Sequence, residues 1–101
     1  MRTLMKVVFP HEPFNSYVRD GSINQRLNRV IAAIDPDAVY FTELEGKRAA
    51  MLVVDVPEDA GIPTIAEPLF LQFEADVELK VAMTLEDLGR SGIEDLGQLW
   101  K

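Results

Sequence analysis

The order in which hydrophobic periodicity changes along the chain constrains the fold more than any other feature. Four segments have the alternating or continuous apolar pattern of strands: residues 3–9, 38–44, 48–56 and 75–83. Two segments between them have helical spacing: residues 22–34 and 63–72. The predicted order is β-α-β-β-α-β, an α+β fold. Two right-handed crossovers around a central hairpin make it a ferredoxin-like sandwich, an antiparallel four-stranded sheet with strand order 4-1-3-2 and helices on one face.

The helix over residues 22–34 has the strongest pattern. Its apolar residues share one side of a helix: Ile23, Leu27, Val30, Ile31 and Ile34. Ser22 and Gln25 have the spacing of a capping box, in which each side chain accepts a hydrogen bond from a free backbone amide. Asp35-Pro36 predicts the end of the helix, because a residue before proline is disfavoured in the helical region.

Prolines predict breaks elsewhere in the chain. Residues 10–15 contain two prolines and are expected to be irregular, with at most a short helical turn at Tyr17 and Val18. Residues 57–59 are expected to end the third strand, which should lie centrally because it is apolar on both faces. Pro68 predicts a kink or a short, broken second helix.

Residues 1–83 are thus expected to form the ferredoxin-like domain, and residues 84–101 a short helical tail. The tail repeats Leu/Ile-Glu-Asp-Leu-Gly at a period of eight, and each copy follows a cap, Thr84 or Ser91, with an acid three residues later. Two short helical turns are predicted, the alternative being a functional acidic motif. We expect the tail to pack on the same domain or on a dimer partner, with Trp100 docked on an apolar surface.

Composition excludes several classes of function. The 17 acidic and 10 basic residues give a net charge of −7, which disfavours nucleic-acid binding. The absence of cysteine excludes disulfides and cysteine-based metal sites, and the spacing of the carboxylates around the single histidine specifies no metal, so no cofactor is expected. Apolar runs are too short to span a membrane, and the start lacks the pattern of a signal peptide, so a cytoplasmic location is expected.

The sheet face without helices is predicted to be half apolar and half ionic. One alternation set combines Leu4, Lys6 and Val8 with Asp76, Glu78 and Lys80, beside an apolar set from the third strand. Such a face usually packs on a partner or lines a pocket. A homodimer through this sheet face is the simplest prediction, with Lys6 paired to Glu78 across neighbouring strands. The alternative is a monomer that tolerates some exposed aliphatic side chains.

Several short motifs spread over nearly the whole chain resemble those of a known group of proteins. They are Pro10-His11-Glu12-Pro13-Phe14-Asn15, Val18-Arg19-Asp20-Gly21, Tyr40-Phe41-Thr42-Glu43, Ala66-Glu67-Pro68, Ala82-Met83-Thr84 and Glu86-Asp87-Leu88. The chain resembles small bacterial proteins of unknown function in the dimeric α/β-barrel branch of ferredoxin-like folds. The resemblance implies that fold and a dimer, but no catalytic residues. More distant members of the branch include cofactor-free monooxygenases, muconolactone-type isomerases and haem-degrading enzymes, and fold-level analogy says little about chemistry.

Three residues are candidates for chemistry. His11, the only histidine, has an ordinary pKa near neutrality and is a candidate general base, or else is hydrogen-bonded to loop backbone. Arg19 is a candidate clamp for a carboxylate or phosphate, or else forms a local salt bridge beside Asp20. Tyr40 is a candidate donor to a bound ligand, or else packs on the sheet, and alternation places Glu43 on the opposite face.

These residues leave three functions open. The first is a homodimeric module that holds a small apolar or acidic metabolite between sheet and helices. The second is a cofactor-independent enzyme, an isomerase or monooxygenase-like protein, with His11 as general base and Arg19 or Tyr40 orienting the substrate. The third is assembly through the edge strands and the acidic tail. No nucleotide-binding or hydrolase motif occurs in the sequence.

Overall fold

A four-stranded antiparallel sheet and five helices make up the part of this computed structural model that is described, residues 1–56 and 61–101. The elements are β1 (Arg2–Phe9), α1 (His11–Asp20), α2 (Ile23–Ile34), β2 (Ala38–Leu44), β3 (Lys47–Asp55), α3 (Gly61–Phe73), β4 (Asp76–Val81), α4 (Leu85–Arg90) and α5 (Ile93–Leu99). The predicted strand end at Pro57, Glu58 and Asp59 lies outside the described residues. The α+β class is confirmed.

The strand order is β2-β3-β1-β4, with β3 in the interior of the sheet as its apolar composition predicted. Read from the other edge, this is the predicted order 4-1-3-2. All three neighbouring pairs are antiparallel. β2 and β3 meet at a tight hairpin in which Glu45 and Gly46 both have positive φ, 52° and 81°.

The hydrophobic core lies between one face of the sheet and helices α1, α2 and α3. Met5, Val7 and Phe9 of β1 are at most 2% exposed on this face. They belong to one cluster with buried residues of the three helices: Phe14, Val30, Ile34, Ile65, Leu69 and Phe73. Because all three helices contribute to this cluster, the other side of the sheet is left uncovered. We call that side the open face.

Helix α1 replaces the irregular segment that was predicted from its prolines. Glu12 has extended backbone angles (φ −109°, ψ 141°), so Pro13 follows an extended residue, as sterics require, and regular helix begins there. Phe14 and Tyr17 are three residues apart and point into the core. The ring centre of Phe14 lies 5.3 Å from that of Phe9, and the ring centre of Tyr17 lies 5.7 Å from that of Phe73. These contacts between elements stabilise a helix that local sequence does not favour.

Two further local predictions differ from the structure, the side-chain cap of α2 and the break of α3 at Pro68. The Ser22 side chain does not cap α2; its Oγ accepts a hydrogen bond from Arg26 Nε at 2.9 Å. α3 runs as one helix from Gly61 to Phe73 across Pro68. The loss of one backbone hydrogen bond at a proline costs about 3 kcal/mol. Burial of Leu69, Phe73 and the rest of the α3 stripe outweighs that loss.

The tail is helical, as predicted, but exposed. Thr84 and Asp87 form the predicted capping box at α4, whereas α5 begins after Gly92 and Ser91 does not cap it. Neither α4 nor α5 has a buried residue, and Trp100 is 81% exposed, so its predicted docking is absent in the single chain. The radius of gyration is 17.1 Å, against about 13 Å expected for a compact chain of this length. The longest dimension of the molecule is 60 Å.

The described helices include none with the length and apolar character that crossing a membrane requires.

Candidate functional site

The open face combines half-exposed apolar side chains with charges, as the strand alternation predicted. Pairing register aligns Tyr40, Met51, Lys6 and Glu78 in one row across the four strands. Leu4 and Met51 are 39% and 38% exposed, and Tyr40 is 70% exposed. A sheet face in contact with water is mostly polar. The open face therefore has more apolar surface than is usual for a sheet face exposed to water.

One groove on the open face has a volume of about 410 Å³. It is lined by Lys6, Val8, Leu44, Glu45, Lys47, Asp76, Val77 and Glu78. A second groove of about 200 Å³ is lined by Leu4, Lys6, Met51, Glu78 and Lys80. The two grooves share Lys6 and Glu78, and together we call them the sheet trough. The sequence predicted a ligand between the sheet and the helices, but that space is filled by the core side chains. The trough lies instead on the open face.

The predicted pair of Lys6 and Glu78 is confirmed. The two residues are directly opposite in the β1–β4 register, and Lys6 Nζ lies 3.2 Å from Glu78 Oε2. Both side chains are about half exposed, so the pair contributes only about 0–1 kcal/mol to stability. A ligand can therefore compete with either partner at little cost.

The remaining charges around the trough come from the hairpin and from β4. Lys47 and Lys80 add two cations that make no ion pair with any residue in the ranges 1–56 and 61–101. Glu45 and Asp76 add two acids. The trough thus presents lysine ammonium groups and carboxylates beside the aliphatic side chains of Val8 and Leu44. Lys47 was missed as a site residue, although alternation from Leu44 across the short hairpin could have placed it on this face.

The three predicted site residues are not brought together. His11 is exposed at the start of α1, which packs on the helix-covered face, whereas Tyr40 lies on the open face. Tyr40 and Glu43 are on opposite faces, as predicted, since their β3 partners are Met51 and Arg48. None of His11, Arg19 and Tyr40 lines either groove of the trough.

Arg19 makes a local ion pair, but with a different acid from the predicted neighbour. Its Nη1 lies 3.3 Å from Glu12 Oε1. Asp20 instead accepts a hydrogen bond from the Ser22 backbone N–H at 2.8 Å. Hydrogen bonds from the Ser22 side chain and backbone lower the pKa of Asp20, and the charge of Arg26 acts in the same direction. The Asp20 carboxylate therefore fixes the turn into α2.

Within residues 1–56 and 61–101, no three His, Asp or Glu side chains converge to hold a metal ion.

Comparison with solved structures gives matches that include one distant likeness. No protein-family model matches the chain, and no curated protein matches it. A de novo designed protein, Ferredog-Diesel, superposes with a TM-score of 0.47 at 8% sequence identity, over 80% of this chain and 85% of the design. The resemblance to small bacterial dimeric α/β-barrel proteins accordingly stays a prediction.

Proposed function

We propose that the chain is a ferredoxin-like protein of the dimeric α/β-barrel type, which pairs through its open face and binds a small organic acid in the sheet trough. The single observation that supports this most is the partial exposure of apolar side chains on the open face, Met51 and Leu4 among them. Strand order and the placement of α1, α2 and α3 on one side of the sheet support the fold assignment.

A second copy is the simplest cover for the open face. A two-fold axis lets one patch serve both chains, so the apolar side chains of one open face pack on those of the other. Sheets packed face to face are about 10 Å apart, which leaves the trough as a closed cavity between them. Removal of water from that cavity strengthens its charge interactions with a ligand.

The chemistry of the trough favours a small carboxylate with an apolar part. Lys47 and Lys80 line the trough without an ion pair to any described residue, and Lys6 is held only by a half-exposed pair. Val8 and Leu44 supply aliphatic contacts on the same groove. Glu45 and Asp76 disfavour ligands of high negative charge, which excludes polyphosphates as the preferred class.

The dimer is tested by sedimentation velocity of the full chain at micromolar concentration. The proposal requires a species of twice 11.3 kDa. Met51→Glu places a charge in the centre of the open face and should shift the species to monomer mass. Val18→Glu is the matched control, because Val18 is 48% exposed on α1, and it should leave the dimer intact. Circular dichroism checks that both variants are folded.

Ligand binding is tested by NMR titration with benzoate, with benzylamine as the cationic control. Benzoate should shift the amide signals of Val8, Leu44 and Lys47, and Lys47→Ala should weaken that binding.

A monomeric wild type, or a Met51→Glu variant that remains dimeric, contradicts the sheet-face dimer. Shifts elsewhere, or equal shifts with benzylamine, contradict the ligand class.

A further inference from the structure

The two edges of the sheet differ in how they are protected against pairing with another strand. β4, at one edge, carries three alternating charges in six residues, Asp76, Glu78 and Lys80. β2, at the other edge, has seven residues with one charge and no proline. Edge strands of natural proteins usually avoid pairing by means of charges, prolines or short length. β2 therefore lacks the protection that β4 has.

The side chains of β2 are exposed on both faces of the sheet. Tyr40, on the open face, is 70% exposed, and Phe41, on the opposite face, is 55% exposed. Among residues 1–56 and 61–101, no strand pairs with the outer edge of β2. This edge therefore combines exposed aromatic side chains with a row of backbone groups that have no partner strand.

The hydrogen bonds of the sheet identify the backbone groups at this edge. Val56, directly after β3, donates its N–H to the Met1 carbonyl at 2.8 Å. Even-numbered residues of β3 therefore bond to β1, and odd-numbered ones bond to the even-numbered residues of β2 that lie opposite them. The N–H and C=O groups of Val39, Phe41 and Glu43 consequently point away from β3, toward the outer edge.

We propose that β2 of one chain pairs antiparallel with β2 of a second copy, so that two sheets of four strands join into one continuous sheet. With a two-fold axis at Phe41, all seven residues have a partner, and Val39 of each chain faces Glu43 of the other. Each of these facing pairs exchanges two hydrogen bonds through the outward backbone groups. Glu43 is the only charge of β2, so no like charges face each other.

Self-complementarity favours a second copy as the partner. In this register Tyr40 faces Thr42 of the second copy, and the two Phe41 side chains face each other across the axis. Aromatic pairs and aromatic pairs with β-branched residues both stabilise neighbouring antiparallel strands. Because each chain has one unprotected edge, a two-fold pair covers both of them and the assembly closes.

The edge is a smaller interface than the open face. A strand of seven residues is about 24 Å long, and one strand pair buries less area than the roughly 1,200–2,000 Å² of a standard stable interface. We therefore expect edge pairing at sub-millimolar rather than micromolar concentration. Edge pairing does not depend on the proposed sheet-face dimer, because it uses the backbone edge of β2. A chain with both interfaces forms a tetramer at high concentration.

Hydrogen exchange of the β2 backbone amides tests the pairing directly. The protein is Met51→Glu, which removes the sheet-face contact, studied at micromolar and at sub-millimolar concentration. Exchange at the odd-numbered residues of β2 should slow about threefold or more at high concentration, because their N–H groups become bonded. The even-numbered residues are bonded to β3 in both states and should change less. Exchange that does not depend on concentration at the odd-numbered residues overturns the proposal.

A cysteine pair tests the register. The chain has no cysteine of its own. Tyr40 and Thr42 of different chains form a pair without hydrogen bonds, with Cα atoms about 4.5 Å apart, within the range of about 4.4–6.8 Å that a disulfide spans. On mild oxidation, an equimolar mixture of Tyr40→Cys and Thr42→Cys should form a covalent mixed dimer at least about tenfold faster than either variant alone forms its own. Equal rates overturn this register.

Prolines at the two edges distinguish edge pairing from a general loss of stability. Phe41→Pro removes an outward N–H and no hydrogen bond to β3, so the fold should persist while the dissociation constant rises about tenfold or more. Val81→Pro is the matched control. The Ala82 N–H donates to the Arg2 carbonyl at 3.0 Å, so the Val81 N–H points outward at the charged edge. Val81 is also 69% exposed.

Sedimentation velocity at sub-millimolar concentration measures both proline variants in the Met51→Glu background. A dimer that is weakened by Phe41→Pro and kept in Val81→Pro supports edge pairing. A Met51→Glu protein that is monomeric at this concentration overturns edge pairing and leaves the sheet-face dimer standing. Equal weakening by the two prolines overturns the assignment of the interface to β2.

Discussion

Replacement of Phe73 by alanine is expected to remove a large part of the domain's stability. Phe73 is 0% exposed, and its ring centre lies 5.3 Å from that of Phe9 and 5.7 Å from that of Tyr17. It joins α3 to β1 and α1 in one aromatic cluster. A buried Phe→Ala change costs about 3–5 kcal/mol from lost transfer energy and the cavity left behind. Small domains have about 5–15 kcal/mol in total, so the variant should fold but be marginal.

The assay is urea unfolding followed by far-ultraviolet circular dichroism, at low protein concentration. Tryptophan fluorescence is unsuitable, because the only tryptophan, Trp100, is exposed in the tail and does not report on the core. Thermal unfolding should show a decrease in Tm of about 15–25 °C. Phe70→Ala is the matched control on the same helix, since Phe70 is 38% exposed, and it should cost about 1 kcal/mol or less. Equal losses for the two variants would refute the assigned inward face of α3.

Three further results are expected. Val30→Asp buries a charge in the core and should abolish the cooperative melt seen by circular dichroism; a melt near wild type would refute the α2 stripe. The pKa of Asp20 is lowered in the folded state, so the stabilisation it gives is present above its ordinary pKa and is lost as pH falls through the folded-state pKa. An NMR titration of Asp20 should show a lowered pKa, which should rise in Ser22→Ala. A pKa that does not change in this variant would contradict the assigned hydrogen bonds. Lys6→Ala and Glu78→Ala should each change the free energy of unfolding by less than about 1 kcal/mol, and a double-mutant cycle with a larger coupling would contradict the half-exposed geometry.

Elements with strong local signals were predicted closely from sequence. The boundaries of β2 match at residues 38–44, and α2 ends at Ile34 as Asp35-Pro36 indicated. The two-residue period of strands and the 3.6-residue period of helices depend only on residues close in sequence. Both patterns are therefore kept in any fold that provides a core. Alternation and strand order placed Lys6 and Glu78 on one face of neighbouring strands, and the register of the folded sheet sets them directly opposite each other.

The tertiary structure decided the features that depend on contacts between distant segments. α1 forms in a proline-rich segment because Phe14 and Tyr17 pack on Phe9 and Phe73, which no local pattern shows. α3 stays continuous across Pro68 for the same kind of reason, as burial of its inner side exceeds the loss of one hydrogen bond.

The candidate site shows the same division. Sequence patterning predicted an open face of mixed character, because alternation is local. Which charges share a groove depends on register across four strands, so Lys47 of the hairpin and Asp76 of β4 became neighbours of one trough only in the folded sheet. His11 and Arg19 were selected by residue type and by their predicted loop positions, and the fold leaves both at the exposed ends of α1. Local periodicity thus specified the elements and their apolar sides. Packing between residues distant in sequence decided that α1 and α3 form as they do, and which side chains lie next to each other.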